Sequence, residues 1–197
     1  MVAIKYTGDV LWERIERAVE RVKDRLRRVT RALNEANIAY AIIGGNAVQY
    51  WVAQVDESVV RNTSDVDIIL NESDLDDAIL ALEQEGFLYR RSAGVSMFLD
   101  GPGAKARDVV HVVFAGKKVR EEYPEPVPEI DGCELIEDVR TLPLESLVRM
   151  KLTSFRRKDQ VHLLDMIAVG IIDQTWPDRF RPQLRQRLEE LLNDPDG

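Results

Sequence analysis

The sequence of 197 residues contains one cysteine, Cys133, and two histidines. A single cysteine excludes an internal disulfide and a four-cysteine zinc site, so we expect a reducing, cytoplasmic setting. No apolar run approaches the roughly eighteen residues that a membrane-spanning helix needs. The first residues also lack the basic start and apolar stretch of a signal peptide. We therefore expect no membrane partner.

Acidic residues outnumber basic residues, and the two kinds are unevenly distributed along the chain. The formal net charge is -8. Residues 54–85 hold ten acidic residues and one basic residue, whereas residues 147–158 hold five basic residues and no acidic residue. Solvated helix faces would explain such segments. An acidic segment beside a basic segment also suits a site that binds a metal cation and a polyanion together.

Apolar periodicity and turn residues predict a mixed α/β part. Apolar residues three and four positions apart predict an amphipathic helix from Leu11 to about Asn37, with Asp9 as its N-cap. Ser73 to Asp76 has the pattern of a capping box, and Gly86 is expected just beyond the end of the helix that follows. The other elements predicted in this part are strands at 39–43, 66–70, 95–99 and 108–114 and a helix at 46–55.

A proline-rich segment, residues 121–132, marks the best internal boundary. A short strand is predicted near 133–136, and helices are predicted at 144–156, 159–170 and 179–192. The predicted organisation is an N-terminal helix (1–37), an α/β core (38–120), a connector with a short strand (121–142) and a helical C-terminal part (143–197).

Two glycines stand where a predicted strand turns into a predicted helix. Gly44 and Gly45 are followed by Asn46. A helix N-terminus presents unpaired N–H groups and the positive end of the helix dipole, and glycine lets a phosphate approach the backbone. A strand-to-helix turn also needs glycine for geometry alone, so the pair does not by itself establish a phosphate site.

Two aspartates stand at the start of the next predicted strand, in the segment RNTSDVDIIL (61–70). A separation of two residues puts the carboxylates of Asp65 and Asp67 on one strand face. Carboxylates held that close repel each other, and Mg²⁺ is a natural partner because it prefers carboxylates together with substrate phosphates. A solvated strand end is the alternative interpretation.

Together, GGNA (44–47) and RNTSDVDIIL (61–70) resemble the motifs of the DNA polymerase beta-like nucleotidyltransferase superfamily. They look most like the minimal, abortive-infection-type nucleotidyltransferases of bacteria, which include toxins of toxin–antitoxin pairs. The helical segment 142–167 continues the resemblance, which covers about residues 38 to 170. It implies an α+β nucleotidyltransferase fold: a small mixed sheet flanked by helices and followed by a helical C-terminal part.

The resemblance implies transfer of a nucleoside monophosphate from an NTP to an acceptor hydroxyl, with release of pyrophosphate. Asp65 and Asp67 would hold two Mg²⁺ ions that clamp the NTP phosphates. The residues implied to bind the nucleotide are Gly44, Gly45, Asn46, Arg61, Thr63, Ser64 and Lys151. The acceptor is left open between a tRNA end, a protein and a small molecule, and a toxin would have a cognate antitoxin as partner.

The family's third carboxylate has two candidate counterparts in DVVHVVF (108–114). His111 matches its position best by apolar flanks, whereas Asp108 has the right chemistry. An odd separation puts these two side chains on opposite strand faces, so only one can face the metal ions. We predict Asp108 as the third catalytic and metal-binding residue, because a carboxylate is the better Mg²⁺ ligand and base. If neither residue serves, the alternative is a non-catalytic module that keeps the fold and binds a nucleotide or a partner protein.

Overall fold

The structure, a computed structural model, describes residues 5–104 and 108–194, and its seven strands form one mixed sheet. Along the sheet the strand order is β3-β4-β5-β2-β1-β7-β6. The strands are β1 (Tyr40–Ile43), β2 (Val66–Leu70), β3 (Leu88–Ser92), β4 (Val95–Leu99), β5 (Val109–Phe114), β6 (Glu134–Ile136) and β7 (Val139–Thr141). The helices are α1 (Asp9–Glu35), α2 (Gly44–Ala53), α3 (Leu75–Gln84), α4 (Leu144–Ser154), α5 (Arg157–Ala168) and α6 (Pro182–Asn193). The α+β class with a mixed sheet is as predicted.

The central strand β2 sets the geometry of the site. It pairs with β1 in the antiparallel direction, which sets Asp67 opposite Ile43. It pairs with β5 in the parallel direction, which sets Asp67 opposite His111. Since α2 begins at Gly44, directly after β1, the register brings the start of α2, the start of β2 and the middle of β5 together.

One hydrophobic core runs through the sheet and the helices. It includes the buried side chains of Val127 in the proline-rich connector, Val139 in β7, Leu147 in α4 and Leu184 in α6. Residues on both sides of the predicted boundary therefore pack into the same core.

The predicted strands at 66–70 and 95–99 coincide with β2 and β4, but two expected helix caps are corrected. α1 has Gly8 at its N-cap position and no capping side chain, so Asp9 is already in the helix. α3 begins at Leu75 after a single 3-10 turn, and the Ser73 hydroxyl donates to Asp74 instead of capping a backbone N–H. Strands β3 and β7 were not predicted.

No helix in residues 5–104 and 108–194 has both the length and the apolar character that crossing a bilayer requires.

A buried arginine ties α1 to the turn between β4 and β5. The Arg25 side chain is 1% exposed; its Nε donates to Asp100 at 3.1 Å and its Nη2 donates to Asp108 at 3.3 Å. An arginine placed this deep is tolerated because it is paired.

We predict that Arg25→Met destabilises the protein by about 2 kcal/mol, because it removes the charged hydrogen bonds that the buried guanidinium donates to Asp100 and Asp108. The control is Arg17→Met, which removes a 63% exposed side chain of the same helix and should change the free energy of unfolding by less than about 0.5 kcal/mol. Urea denaturation measures both, and equal effects would contradict a structural role for Arg25.

Candidate active site

A cavity of about 290 Å³ lies where the start of α2, the start of β2, strand β5 and the α4–α5 turn meet. Charged and titratable side chains form one part of its lining, and apolar side chains form another. The charged and titratable lining residues include Asp65, Asp67, His111, Lys151, Arg156, Lys158 and Asp159.

The two glycines at the start of α2 allow close contact with the loop and strand that follow. A Cβ atom on Gly44 would lie 2.0 Å from Oδ2 of Asp67, and Gly44 has a φ of +67°, which other residues rarely adopt. A Cβ atom on Gly45 would lie 2.7 Å from Oγ1 of Thr63. No side chain caps α2. The positive end of this helix therefore sits against the Asp67 carboxylate.

The two aspartates of the DxD motif both line the cavity. Burial raises the pKa of the Asp67 carboxyl, against the opposing effect of His111, Lys151 and Lys158. Asp65 accepts a hydrogen bond from the Ser64 hydroxyl, and its Oδ2 lies 3.9 Å from Nζ of Lys158. A carboxylate that burial disfavours gains the most from an added cation.

A buried ion-pair network forms the cavity wall at the α4–α5 turn. Lys151 Nζ donates to Asp159 at 3.3 Å, and both side chains are at most 6% exposed. Arg156 Nε and the Ser154 hydroxyl donate to the same carboxylate, each at 2.8 Å. The pKa of Lys151 is lowered by burial, with Asp159 and Asp67 opposing the shift. Lys151, predicted to contact phosphate, is thus hydrogen-bonded to an acid while it lines the cavity.

Arg156 and Lys158 were not predicted, although they belong to the basic segment 147–158 that the sequence displays. Their side chains are 56% and 55% exposed, and both line the cavity. They are the solvent-accessible cations of its described lining, so they are better placed than Lys151 to meet an incoming anion.

Five residues predicted to bind the nucleotide lie outside the described lining and instead fix the loop before β2. The Asn46 amide donates to the Asp65 carbonyl at 2.7 Å, and Thr63 packs on Gly45. Arg61 Nε contacts both carboxylate oxygens of Asp165 on α5, at 2.8 and 2.9 Å. The five residues are Gly45, Asn46, Arg61, Thr63 and Ser64.

Strand β5 presents His111 to the cavity, and the structure does not bring Asp108 to the aspartate pair. His111 is the β5 partner of Asp67 and lines the cavity. Asp108 is instead ion-paired with Arg25 of α1. This corrects the predicted position of the third group. The apolar residues on either side of His111, which match the family pattern, indicated the cavity-facing position better than the carboxylate of Asp108 did.

The residues present fit a cation that is bound together with phosphates. Among residues 5–104 and 108–194, no group of three or more His, Cys, Asp or Glu side chains could hold a metal ion. Asp65 and Asp67 would supply two hard oxygen ligands, and Mg²⁺ commonly takes its other ligands from water and substrate phosphates.

His162 of α5 lies beside the ion-pair network. Burial, aided by the charge of Lys151, lowers the pKa of its imidazole to about 4, and its Nδ1 has no hydrogen-bond partner in the described part of the chain. The folded state therefore holds His162 neutral, whereas the unfolded chain protonates it below about pH 6.5.

We predict that His162 makes the protein less stable as the pH falls from about 6.5 toward 4, because the unfolded state then binds more protons than the folded state. Its share is on the order of 1 to 2 kcal/mol after allowance for partial exposure. His162→Gln should flatten the pH dependence of the free energy of unfolding in this window. An unchanged pH profile in the variant would contradict the assignment.

We also predict that Gly44→Ala weakens binding of Mn²⁺ with a nucleotide at least about tenfold, since the new methyl group displaces the Asp67 carboxylate. Gly86→Ala is the control: Gly86 has a φ of +84°, and a Cβ there meets nothing within 4 Å. Both variants should lose about 1 to 2 kcal/mol of stability from the positive φ, and Gly44→Ala should lose more because its methyl group also collides with Asp67. Only Gly44→Ala should lose binding in calorimetry. Equal binding by the two variants would contradict the role of the contact.

No family model and no curated protein matches the sequence. Solved structures do match. An antigenic nucleotidyltransferase-like protein from Paracoccidioides brasiliensis is 19% identical, with a TM-score of 0.57 over 90% of each chain. The crystal structure of ANT(2″)-Ia in complex with adenylyl-2″-tobramycin is 14% identical, with a TM-score of 0.54 over 83% of this chain and 94% of that one.

The solution structure of the antibiotic-resistance factor ANT(2″)-Ia is 13% identical, with a TM-score of 0.52 over 90% of this chain and 91% of that one. At such identities the likeness establishes the fold alone. The chain has the nucleotidyltransferase fold.

Proposed function

We propose that the protein is a nucleotidyltransferase that binds an NTP with Mg²⁺ at Asp65 and Asp67 and transfers the nucleoside monophosphate to an acceptor hydroxyl. The observation that carries the proposal is the packing of Asp67 against the start of α2 at Gly44, inside a cavity that Asp65 also lines. The same elements in the same order define the motifs whose resemblance the sequence shows.

Each part of the site has a distinct task in this proposal. Asp65 and Asp67 would hold the ion, which would supply charge neutralisation at the phosphates and lower the pKa of the attacking hydroxyl. Arg156 and Lys158 bring solvent-accessible positive charge to the phosphates. The start of α2 adds the positive end of its dipole.

The number of carboxylates in the site bears on how many Mg²⁺ ions it would bind. Two carboxylates suffice for one Mg²⁺ bound together with the phosphates. A second ion, which the resemblance implies, would draw its remaining ligands from the nucleotide and water. The resemblance to the abortive-infection-type branch, and with it a cognate antitoxin, rests on the sequence motifs.

A non-catalytic nucleotide-binding module is the second candidate, and one observation favours it. The position opposite Asp67 on β5 holds His111, an imidazole that binds Mg²⁺ poorly. Both candidates bind a nucleotide, but only the enzyme attaches the labelled monophosphate to an acceptor.

We predict that Asp65→Asn combined with Asp67→Asn weakens binding of Mg²⁺–ATP at least tenfold in calorimetric titration, a loss of about 1.4 kcal/mol or more. Because burial disfavours the Asp67 charge, the double variant should melt no lower than the parent. The control is Asp76→Asn with Asp77→Asn, an exposed pair on α3 with the same charge change.

Wild-type affinity in the double variant would contradict the proposal. The same variants, incubated with NTPs labelled at the α-phosphate and a cell extract, decide between the two candidates. Labelled product that depends on Asp65 and Asp67 supports the enzyme, and binding without product supports the module.

A further inference from the structure

One wall of the cavity is apolar, and its residues have no role in the proposed binding of the metal ion and the phosphates. It is formed by the start of β4, the end of β5 and the connector that follows. Two of its side chains, Val95 and Val119, are 45% and 53% exposed at the rim. The residues of this apolar wall are Val95, Val113, Val119, Tyr123, Pro126 and Val127. Exposed apolar side chains that border a cleft are typical of ligand surfaces.

Backbone hydrogen bonds hold the apolar wall in place. The N–H of Gly116 donates to the Val127 carbonyl at 3.0 Å, and the N–H of Val127 donates to the Lys117 carbonyl at 2.9 Å. Val127 is 4% exposed and belongs to the core. The proline-rich connector is therefore fixed on the sheet, so the apolar wall is preformed and costs little ordering when a ligand binds.

Each carboxylate of the described cavity lining already lies beside a cationic side chain or is a proposed metal ligand. Asp159 is buried against Lys151 and Arg156. Glu125 lies between Arg149 and Arg181, at 3.8 and 3.7 Å. The other two lining carboxylates, Asp65 and Asp67, are the proposed metal ligands. The described lining thus offers no spare carboxylate to an ammonium group.

One buried hydroxyl in the lining lacks a partner. Thr153 is 7% exposed, and its Oγ1 has no hydrogen-bond partner among the described residues. Buried polar groups in folded proteins are normally satisfied. A ligand that reaches this hydroxyl would satisfy it with one neutral hydrogen bond.

We infer that the acceptor is a hydroxyl compound with an uncharged, apolar body and no amino groups, held against the apolar wall. This inference rests on the proposed function. In the transfer, the acceptor oxygen forms a bond to the α-phosphorus as the bond to the pyrophosphate oxygen breaks. Pyrophosphate leaves with that electron pair, and the hydroxyl proton goes to solvent. A polycationic amino sugar is disfavoured because its ammonium groups find no free carboxylate.

Valine-methyl NMR of the full chain, saturated with Mg²⁺ and a non-hydrolysable ATP analogue, tests the inference with two sugar probes. One is 4-nitrophenyl β-glucoside, which is neutral and carries an apolar ring. The other is tobramycin, which carries several amino groups. We expect the glucoside to shift the methyl signals of Val95, Val119 and Val127 saturably, and tobramycin to leave them unchanged.

Three results would overturn the inference: shifts with tobramycin, shifts with neither probe, or complete coverage of these valines by the nucleotide analogue alone. Calorimetric titration with the nucleotide analogue tests the proposed function separately from the acceptor class. If the analogue fails to bind, the proposed function and the inferred acceptor class are both contradicted. If the analogue binds but neither sugar probe shifts the valine methyl signals, only the inferred acceptor class is contradicted.

A substitution at the cavity rim tests whether the glucoside binds at the apolar wall and not elsewhere on the surface. Val119→Glu should weaken glucoside binding at least tenfold and leave affinity for the nucleotide analogue within twofold. Leu135→Glu is the control, because Leu135 is 67% exposed on β6 and lies outside the described lining. Equal glucoside affinity in the two variants would also overturn the inference.

Discussion

The site depends on the close approach of Gly44 to Asp67. A side chain at position 44 would occupy the space of the Asp67 carboxylate, with 2.0 Å between the two. The antiparallel register of β1 and β2, which sets Ile43 opposite Asp67, fixes this approach. The contact joins the end of β1, the start of α2 and the start of β2, and it puts an uncapped helix start beside a carboxylate.

Asp67 differs from the other acids around this contact because, within the described chain, it has neither an ion pair nor a hydrogen bond. Asp159 is saturated by Lys151, Arg156 and Ser154, which fixes the α4–α5 turn. Burial raises the pKa of Asp67, and the described chain donates no hydrogen bond that would offset the cost. In the proposed function an added cation offsets this cost, and the exposed cations Arg156 and Lys158 attract an anion next to it.

Local patterns predicted most of the fold. Strand β2 and the helix α1 follow from short-range periodicity, and the glycine pair and the DxD motif follow from spacing along the chain. Strand β3 was missed because its sequence, LYRRS, is mostly exposed at the sheet edge and carries no alternating apolar pattern. Strand β7 has only three residues and exists through its pairing with β1 and β6.

The sequence predicted those parts of the candidate site whose residues lie close together along the chain, but not the contacts that tertiary packing creates. Lys151 and Arg61 have partners, Asp159 and Asp165, that only tertiary packing brings to them. Asp108 was chosen for its chemistry, but the alternation of β5 and the buried Arg25 of α1 decide where it lies. No property of the segment 108–114 alone reveals that arginine.

The proposed function requires that Asp65 and Asp67 share a cation with a nucleotide phosphate. Anomalous diffraction from crystals grown with Mn²⁺ and a non-hydrolysable ATP analogue shows whether they do. We expect a manganese peak about 2.0 to 2.3 Å from a carboxylate oxygen of each aspartate, with a phosphate oxygen completing its coordination. A nucleotide bound elsewhere on the chain, or a bound nucleotide with no metal at this pair, would show that the proposal is wrong.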